Sequence, residues 1–522
     1  MILTLKKSLE KLNFIQIIWL FLLPFLLGAF AVIGFAPYYI YPATIASLIG
    51  LFYIWYTAKT AKKAALSGFL YGLGLFGIGI YWIYISLHDF GGMPWWMAGF
   101  STFTLCAFLS LFPAFVGYIS KQSSNTSAST MMISAPIFWA LSEWVRGWIF
   151  TGFPWLTVGY SQVPNSPLTG FMPIIGVYGV SLIMLFIASL IAYCFINAKR
   201  TIAITGRNSI AIVICIGIIG GLLKLVEWTT PINAPITAAL LQGNISQDMK
   251  WSPEIADQTL KSYLEMVQQS KAKLIVMPET ALPMLVNEIP SQYVKALKDH
   301  AVNNHGDILI GTVEGFAGES PSEPHQYFNS MLSIGSATTQ SYRKSHLVPF
   351  GEFIPLKNIF GWIYRDWLNI PLSDLSRGSL TQQPIEIAGQ KVAVNICYED
   401  VFGEEIIRQL PQASLLVNAS NDAWYGGSPA AHQHMQFSQA RAIETGRVVL
   451  RATNTGATAM IDPHGKVIAH APHFTKTTLN VSVQGYAGST PYVRWGNWPV
   501  LILLWVGTIF LLYKSWLKRR NS

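Results

Sequence analysis

Charge is scarce in this chain. Asp, Glu, Lys and Arg make up 12% of its 522 residues and hydrophobic residues 52%, a balance that excludes a wholly soluble protein. Cysteine is scarcer still, at four residues, which excludes a disulfide-stapled scaffold. Three of these, Cys106, Cys194 and Cys215, fall in long apolar runs, where a thiol usually acts as a small hydrophobe. There is no glycine-rich phosphate loop and no dinucleotide fingerprint. His432 and His434 stand at i and i+2 on an expected helix, where side chains point apart, and no Cys or carboxylate completes a zinc spacing around them. The sequence therefore predicts neither a metal nor a cofactor.

Apolar sequence is abundant, in blocks of about the 20 residues needed to cross a hydrocarbon core. Such blocks lie near 14–34, 38–58, 66–88, 95–120, 130–150, 171–198, 208–226 and 496–513. The fifth contains Glu143 and ends at Arg146, so eight spans is the expected count and seven the alternative. Lys6, Lys7 and Lys11, then Lys59, Lys62 and Lys63, then Lys199, Arg200 and Arg207, and finally Lys514, Lys518, Arg519 and Arg520 mark one side of the membrane. The intervening loops 35–37, 89–94 and 151–170 hold no Lys or Arg, and retained basic residues mark the cytoplasm. Both termini are expected there. Ala29, Phe30 and Ala31 imitate a signal-peptidase site, and cleavage would leave the polar part on the same side.

The expected organisation is a transmembrane helical domain over 1–227 with about seven spans, a polar domain over 228–495 facing the opposite compartment, and a last span with a basic tail over 496–522. Residues 228–495 carry 19 Lys and Arg against 22 Asp and Glu, so the basicity of the chain belongs to its membrane part. That is a topological and lipid-facing signal, and no nucleic-acid partner is expected.

Within the polar domain, strand-like runs at 236–243, 273–280, 307–313, 392–400 and 414–422 alternate with helix-like stretches at 254–270, 291–302 and 431–448, as in layered α/β folds. ATAMIDPHGKVIAHA near the end reads as a hairpin turning at residues 462–465. Glu279 and Cys397 each fall at the end of a strand, where open α/β sheets place their chemistry. Cys397, in VAVNICYED, is the sole cysteine of this domain. A thiol of pKa ~8.5 attacks only once a base takes its proton. Glu279 is a candidate for that base if its pKa is raised toward neutrality. Lys344, in SYRKSHLVPFGEFIP, is a candidate oxyanion partner, and Glu352 a second carboxylate that orients the lysine or assists proton transfer. Each also has an ordinary reading: a packing thiol, a strand-end cap, a surface cation.

Taken in order, Glu279 at a strand end, the YRK-x-HLVP-x-GE segment and the cysteine of NICYED resemble the Glu, Lys and Cys of the nitrilase (carbon–nitrogen hydrolase) superfamily. With spans before and after, and with GFPWLTVGYSQ at 152–162, QGNISQDMKW at 242–251 and NDAWYG at 421–426, the chain resembles the apolipoprotein N-acyltransferase family of the bacterial inner membrane. The resemblance implies a polytopic α-helical membrane domain joined to a periplasmic α/β nitrilase-like domain, an α-β-β-α sandwich. It further implies Glu279 as general base, Lys344 as oxyanion stabiliser and Cys397 as nucleophile, with Glu352 as the supporting carboxylate.

Tyr398, Glu399 and Trp251 match positions around the family's active site, although Tyr398 can supply backbone geometry alone and Trp251 can be core. The implied reaction, the last step of lipoprotein maturation, is ping-pong. An acyl chain passes from a phospholipid to the Cys397 thiolate, then to the α-amino group of an N-terminal S-diacylglyceryl-cysteine. Trp155 and Tyr160 read as interfacial anchors or as part of the acyl-chain path. The aromatics Phe350, Phe353, Phe360, Trp362, Tyr364 and Trp367 read as a lid at the bilayer surface or as a satellite core. A monomer is expected, because one cysteine completes the cycle. The competing readings are a membrane-anchored amidase acting on a small amide and a transporter. The spans hold almost no ionisable groups apart from Glu143, Arg146 and Lys224, which argues against transport.

Overall fold

The computed structural model describes residues 21–124, 127–197, 207–247, 253–317, 325–355 and 374–520. The chain forms two compact units. One draws on Met1–Tyr81, Gly99–Val226 and Asn497–Ser522, the other on Trp82–Ala98 and Glu227–Gly496.

The first unit is helical. Helices Trp95–Ser124, Pro167–Ile196 and Trp498–Leu517 are each long and apolar enough to cross a membrane, and Ala61–Gly79 is a further apolar helix. Leu23–Gly34 and Arg207–Leu223 are shorter apolar helices. Tyr41–Thr57 and Ala128–Arg146 occupy the second and fifth apolar blocks. Close backbone approach is built from glycine: a Cβ at Gly28 would stand 2.0 Å from the Tyr71 carbonyl oxygen, and one at Gly74 2.0 Å from that of Phe25. Glu143 and Arg146 have a structural use. Glu143 Oε1 accepts from Trp139 Nε1 (3.1 Å) and Val158 N (2.8 Å), while Arg146 donates to the carbonyls of Phe153 (2.7 Å) and Trp155 (2.6 Å). Together they fix the GFPWLTVGYSQ loop, leaving Trp155 and Tyr160 only 2% and 1% exposed.

The second unit is a sandwich of two six-stranded sheets. Strands β1 (Thr229–Gln242), β2 (Leu274–Val276), β3 (Asp307–Phe316), β4 (Gln326–Gly335) and β5 (Ser341–Arg343) build the first sheet. The second holds β6 (Ile385–Ile387), β7 (Gln390–Ile396), β8 (Leu415–Ser420), β9 (Val449–Thr453), β10 (Ala459–Ile461) and β11 (Val467–His470). The chain then returns as β12 (Thr477–Gly488) to pair with β1, giving the orders β12-β1-β2-β3-β4-β5 and β11-β10-β9-β8-β7-β6. β1, β2 and β3 run parallel to one another, as do β7, β8 and β9.

Alternation of side chains along each strand explains the layering. Ala238 and Leu240 of β1 meet Val392, Val394 and Ile396 of β7 between the sheets. The intervening Ala239 and Leu241 face outward onto Leu260, Tyr263 and Val267 of helix α1 (Pro253–Gln269) and Leu297 of α2 (Ser291–Asn303). On the far side Ala393, Leu416 and Val449 face Ala442 of α3 (Ala430–Thr445). Strands buried on both faces read as continuous apolar runs, so the layered α/β character was legible in the sequence, and the α-β-β-α sandwich implied by the resemblance is the arrangement observed. The hairpin lies at β10–β11, where Gly465 takes φ +80°. Two strands end about four residues before the sequence suggests. The first stops at Val276, ahead of Pro278, and the other at Ile396, because Cys397 takes φ +52° and begins a 3₁₀ turn through Val401.

Candidate active site

Parallel strands deliver the polar groups to one end of the sandwich. Glu279 follows β2, Lys344 follows β5, Cys397 follows β7 and Asn421 follows β8. All of these residues are buried: Glu279 is 7% exposed, Lys344 1% and Cys397 8%. Lys344 Nζ lies 2.8 Å from Glu352 Oε1 and 3.4 Å from Glu279 Oε1. Asn329, on β4, donates from Nδ2 to the same two oxygens at 2.7 Å (Glu279) and 3.0 Å (Glu352). The backbone N–H groups of Asn421 and Val348 hold the remaining oxygens, at 2.9 Å to Glu279 Oε2 and 2.8 Å to Glu352 Oε2. Charge is thereby paired and hydrogen-bonded, the condition under which buried ions are tolerated.

Electrostatics divides the labour. Burial opposes the Lys344 ammonium, but Glu352 and Glu279 together outweigh it and hold its pKa above the ordinary value, so the lysine is a fixed cation. Burial, reinforced by Glu279 and only partly offset by Lys344, pushes the Cys397 pKa up. At rest Cys397 is therefore a thiol, and it could attack only as its proton leaves. That arrangement groups a carboxylate, a cation and a thiol, a set that acyl transfer can use.

The turn carrying the thiol is braced from two sides. Glu399 Oε2 accepts from Ile396 N (2.7 Å), while Oε1 accepts from Ser345 N (2.7 Å), Ser345 Oγ (2.8 Å) and His346 N (3.1 Å), so one carboxylate ties the Cys397 turn to the segment after Lys344. Burial raises the Glu399 pKa even so. From the other side, His434 of α3 places Nε2 3.0 Å from the Cys397 carbonyl oxygen and Nδ1 3.0 Å from Asp422 Oδ1. Asp422 Oδ2 accepts from Arg451 Nη2 at 2.8 Å, and Arg451 also donates to Asn418 Oδ1 at 2.7 Å. Burial works against the Asp422 carboxylate, but Arg451 and His434 outweigh it and keep the carboxyl below the usual range.

Residues 27–190 match the family described as apolipoprotein N-acyltransferase N-terminal domain, and residues 237–492 match carbon-nitrogen hydrolase. An apolipoprotein N-acyltransferase of Nitrosomonas europaea is 51% identical over 92% of this chain and 94% of its own. The chain belongs to the apolipoprotein N-acyltransferase family. Relatives of the same name from Chromobacterium violaceum (39% identical, covering 97% of this chain and 95% of theirs) and Vibrio cholerae (35%, covering 94% and 96%) agree. Like other members of the apolipoprotein N-acyltransferase family, the protein is a transferase with a nitrilase-like domain and apolar helices suited to a membrane.

Of the residues singled out in this N-acyltransferase from sequence, Glu279, Lys344, Glu352, Cys397 and Glu399 form one connected cluster. Tyr398 is buried beside it, its ring packed edge-on against Phe402 (5.2 Å) and His346 (5.7 Å). Phe353 lies under the Arg377 guanidinium, 5.1 Å from the ring centroid. Trp155 and Tyr160 pack inside the helical unit. Trp251, Phe360, Trp362, Tyr364 and Trp367 lie outside the described residues. Sequence reasoning passed over Asn329, in a strand it did not recognise, and Arg451. It weighed His434 only as a metal ligand; among the described residues no cluster of three metal-ligating side chains occurs. It also missed Trp82, whose Nε1 donates to Gln433 Oε1 of α3 (3.1 Å) and whose ring packs edge-on against Tyr425 (4.8 Å), within the same unit as Cys397.

Proposed function

We propose that the protein moves a fatty acyl chain from a phospholipid to the α-amino group of the N-terminal S-diacylglyceryl-cysteine of an apolipoprotein, through a thioester on Cys397. The observation that carries this reading is the buried Glu279–Lys344–Glu352 cluster around a buried thiol, in a member of this family. In the first half-reaction Glu279 takes the thiol proton as Sγ attacks the ester carbonyl, and the oxyanion develops against Lys344. The C–O bond then breaks, Glu279 returns the proton to the departing alkoxide, and a lysophospholipid leaves. In the second, the neutral amine attacks the thioester, Glu279 takes an amine proton and passes it to the leaving sulfur, and the thiol is restored.

An α-amino group, with pKa ~7.7–8.0, is neutral far more often at neutral pH than a lysine near 10.4, which suits it as acceptor. Glu352 and Asn329 position Lys344 and Glu279, and Glu399 positions the nucleophile turn. The reading extends to topology: the catalytic unit lies in the periplasm of a bacterial inner membrane, both termini are cytoplasmic, and one chain suffices.

The test is an intact-mass spectrum after incubation with phospholipid, beside Cys397→Ala. An acyl adduct on the wild type alone, discharged by a diacylated lipopeptide, is the expected result. Absence of any adduct on protein that binds lipid would overturn the reading.

A further inference from the structure

Beside the loop 421–428 lies a cavity of about 220 Å³, with Asp422, Gly427, Ser428, His432, Thr455 and His473 in its wall. It is far larger than the ~10–15 Å³ that admits a single water, and the steps above give it no use. The loop joins it to the catalytic cluster: Asn421 N donates to Glu279 Oε2 at 2.9 Å, and the Asp422 carboxylate reaches the Cys397 carbonyl through His434. Its far wall is held in place by the end of β1, where Gln242 Nε2 donates to the carbonyls of Pro472 (2.7 Å) and Thr475 (2.8 Å). Phe474, at the rim, is 52% exposed. The site is thus preformed and open, as ligand pockets usually are.

The chemistry of the wall narrows the occupant. It contains one carboxylate and no Lys or Arg, so a phosphate headgroup would meet like charge without the cation that phosphate sites use. His432 and His473 stack with ring centroids 4.7 Å apart, and among the described residues neither imidazole makes a hydrogen bond. Burial lowers the pKa of both. Each is then a neutral ring offering one donor and one acceptor, and the hydroxyls of Ser428 and Thr455 offer the same mixture. Peptide main chain carries one donor and one acceptor per residue and no charge, so it is the substrate part that matches.

We propose that this cavity is a subsite for the first residues of the acceptor polypeptide behind its N-terminal cysteine. The inference rests on the acyl-transfer reading and adds to it where the acceptor chain lies. A Cβ at Gly427 would have nothing within 4 Å, so Gly427→Trp can start a bulky side chain beside the cavity, and His473→Leu removes a polar edge. Each variant is given two acceptors, diacylglyceryl-cysteine amide alone and the same unit extended by a short peptide.

The expected result is that turnover of the extended acceptor falls at least tenfold relative to the single-residue acceptor. Equal slowing of both acceptors, or no change in either, overturns the subsite. Loss of acyl-enzyme formation from phospholipid in the variants assigns the cavity to the donor headgroup and also overturns it. A wild-type protein that forms no acyl-enzyme and acylates neither acceptor sinks the acyl-transfer reading itself, a failure visible before any variant is compared.

Discussion

His434 Nε2 lies 3.0 Å from the carbonyl oxygen of Cys397, the residue whose φ of +52° turns the chain out of β7. A positive φ at a non-glycine residue costs of order 1–3 kcal/mol and persists only where surrounding contacts enforce it. The imidazole is one such contact, donating to the Cys397 carbonyl while Asp422 holds its other nitrogen. His434→Leu should therefore slow acyl-enzyme formation about 10- to 100-fold, the equivalent of ~1.4–3 kcal/mol. His434→Gln, which keeps a donor, should recover part of that loss. Single-turnover kinetics with both variants checks this; equal rates would reduce the histidine to packing.

Lys344 separates two carboxylates that would otherwise face each other across a buried space. Lys344→Met removes the cation proposed to hold the oxyanion and leaves Glu279 and Glu352 uncompensated, so two costs fall on one substitution. Activity should drop by roughly 10²–10³-fold or more. Single-turnover acylation by the variant is the measurement, and a wild-type rate would remove the lysine from the chemistry.

Asn329 reaches both carboxylates with a single amide nitrogen, at 2.7 and 3.0 Å. Asn329→Asp replaces that donor by a third carboxylate and should abolish turnover, whereas Asn329→Ala removes two hydrogen bonds at a cost of order 1–3 kcal/mol. Thermal unfolding in detergent, read beside activity, distinguishes the two: a large activity loss with a small fall in melting temperature marks a positioning role.

The Asp422 carboxyl is held below the usual range by Arg451 and His434 once these outweigh burial. Its folded pKa is thus lower than its unfolded value of ~3.9. The sign follows: its stabilisation is fully present above the unfolded pKa and is lost as pH falls through the folded one. Wild-type protein should lose melting temperature on acidification below about pH 4, and Asp422→Asn should start lower at neutral pH but show a shallower acid decline. An identical acid slope in both proteins would mean that other carboxyls dominate.

Glu399 accepts from groups on both sides of the gap between Ile396 and Ser345. Glu399→Gln keeps the volume but turns one acceptor into a donor facing N–H groups. It should destabilise the second unit by about 1–3 kcal/mol and raise protease sensitivity around 342–346, checked by limited proteolysis.

Much of this was written locally. Continuous apolar runs in VAVNICYED and SLLVNASND specified strands buried on both faces, long apolar blocks specified membrane helices, and Glu279 and Cys397 stood at strand ends where parallel sheets gather polar groups. Those features depend on neighbours in the chain, so the sequence determined the layered architecture, the membrane class and the residues to suspect. Only the tertiary structure decided which groups meet. Asn329 joins carboxylates from distant segments, the bond between Trp82 and Gln433 spans 351 positions, and His434 serves Cys397 from a helix 37 residues away. A hydrogen bond between distant segments imposes no periodicity on either, so nothing in the local pattern of those residues announces it. The sheets had to stack before the strand ends could share one cluster, and the turn at Cys397, against the preference of its own backbone, is set by the contacts that stacking creates.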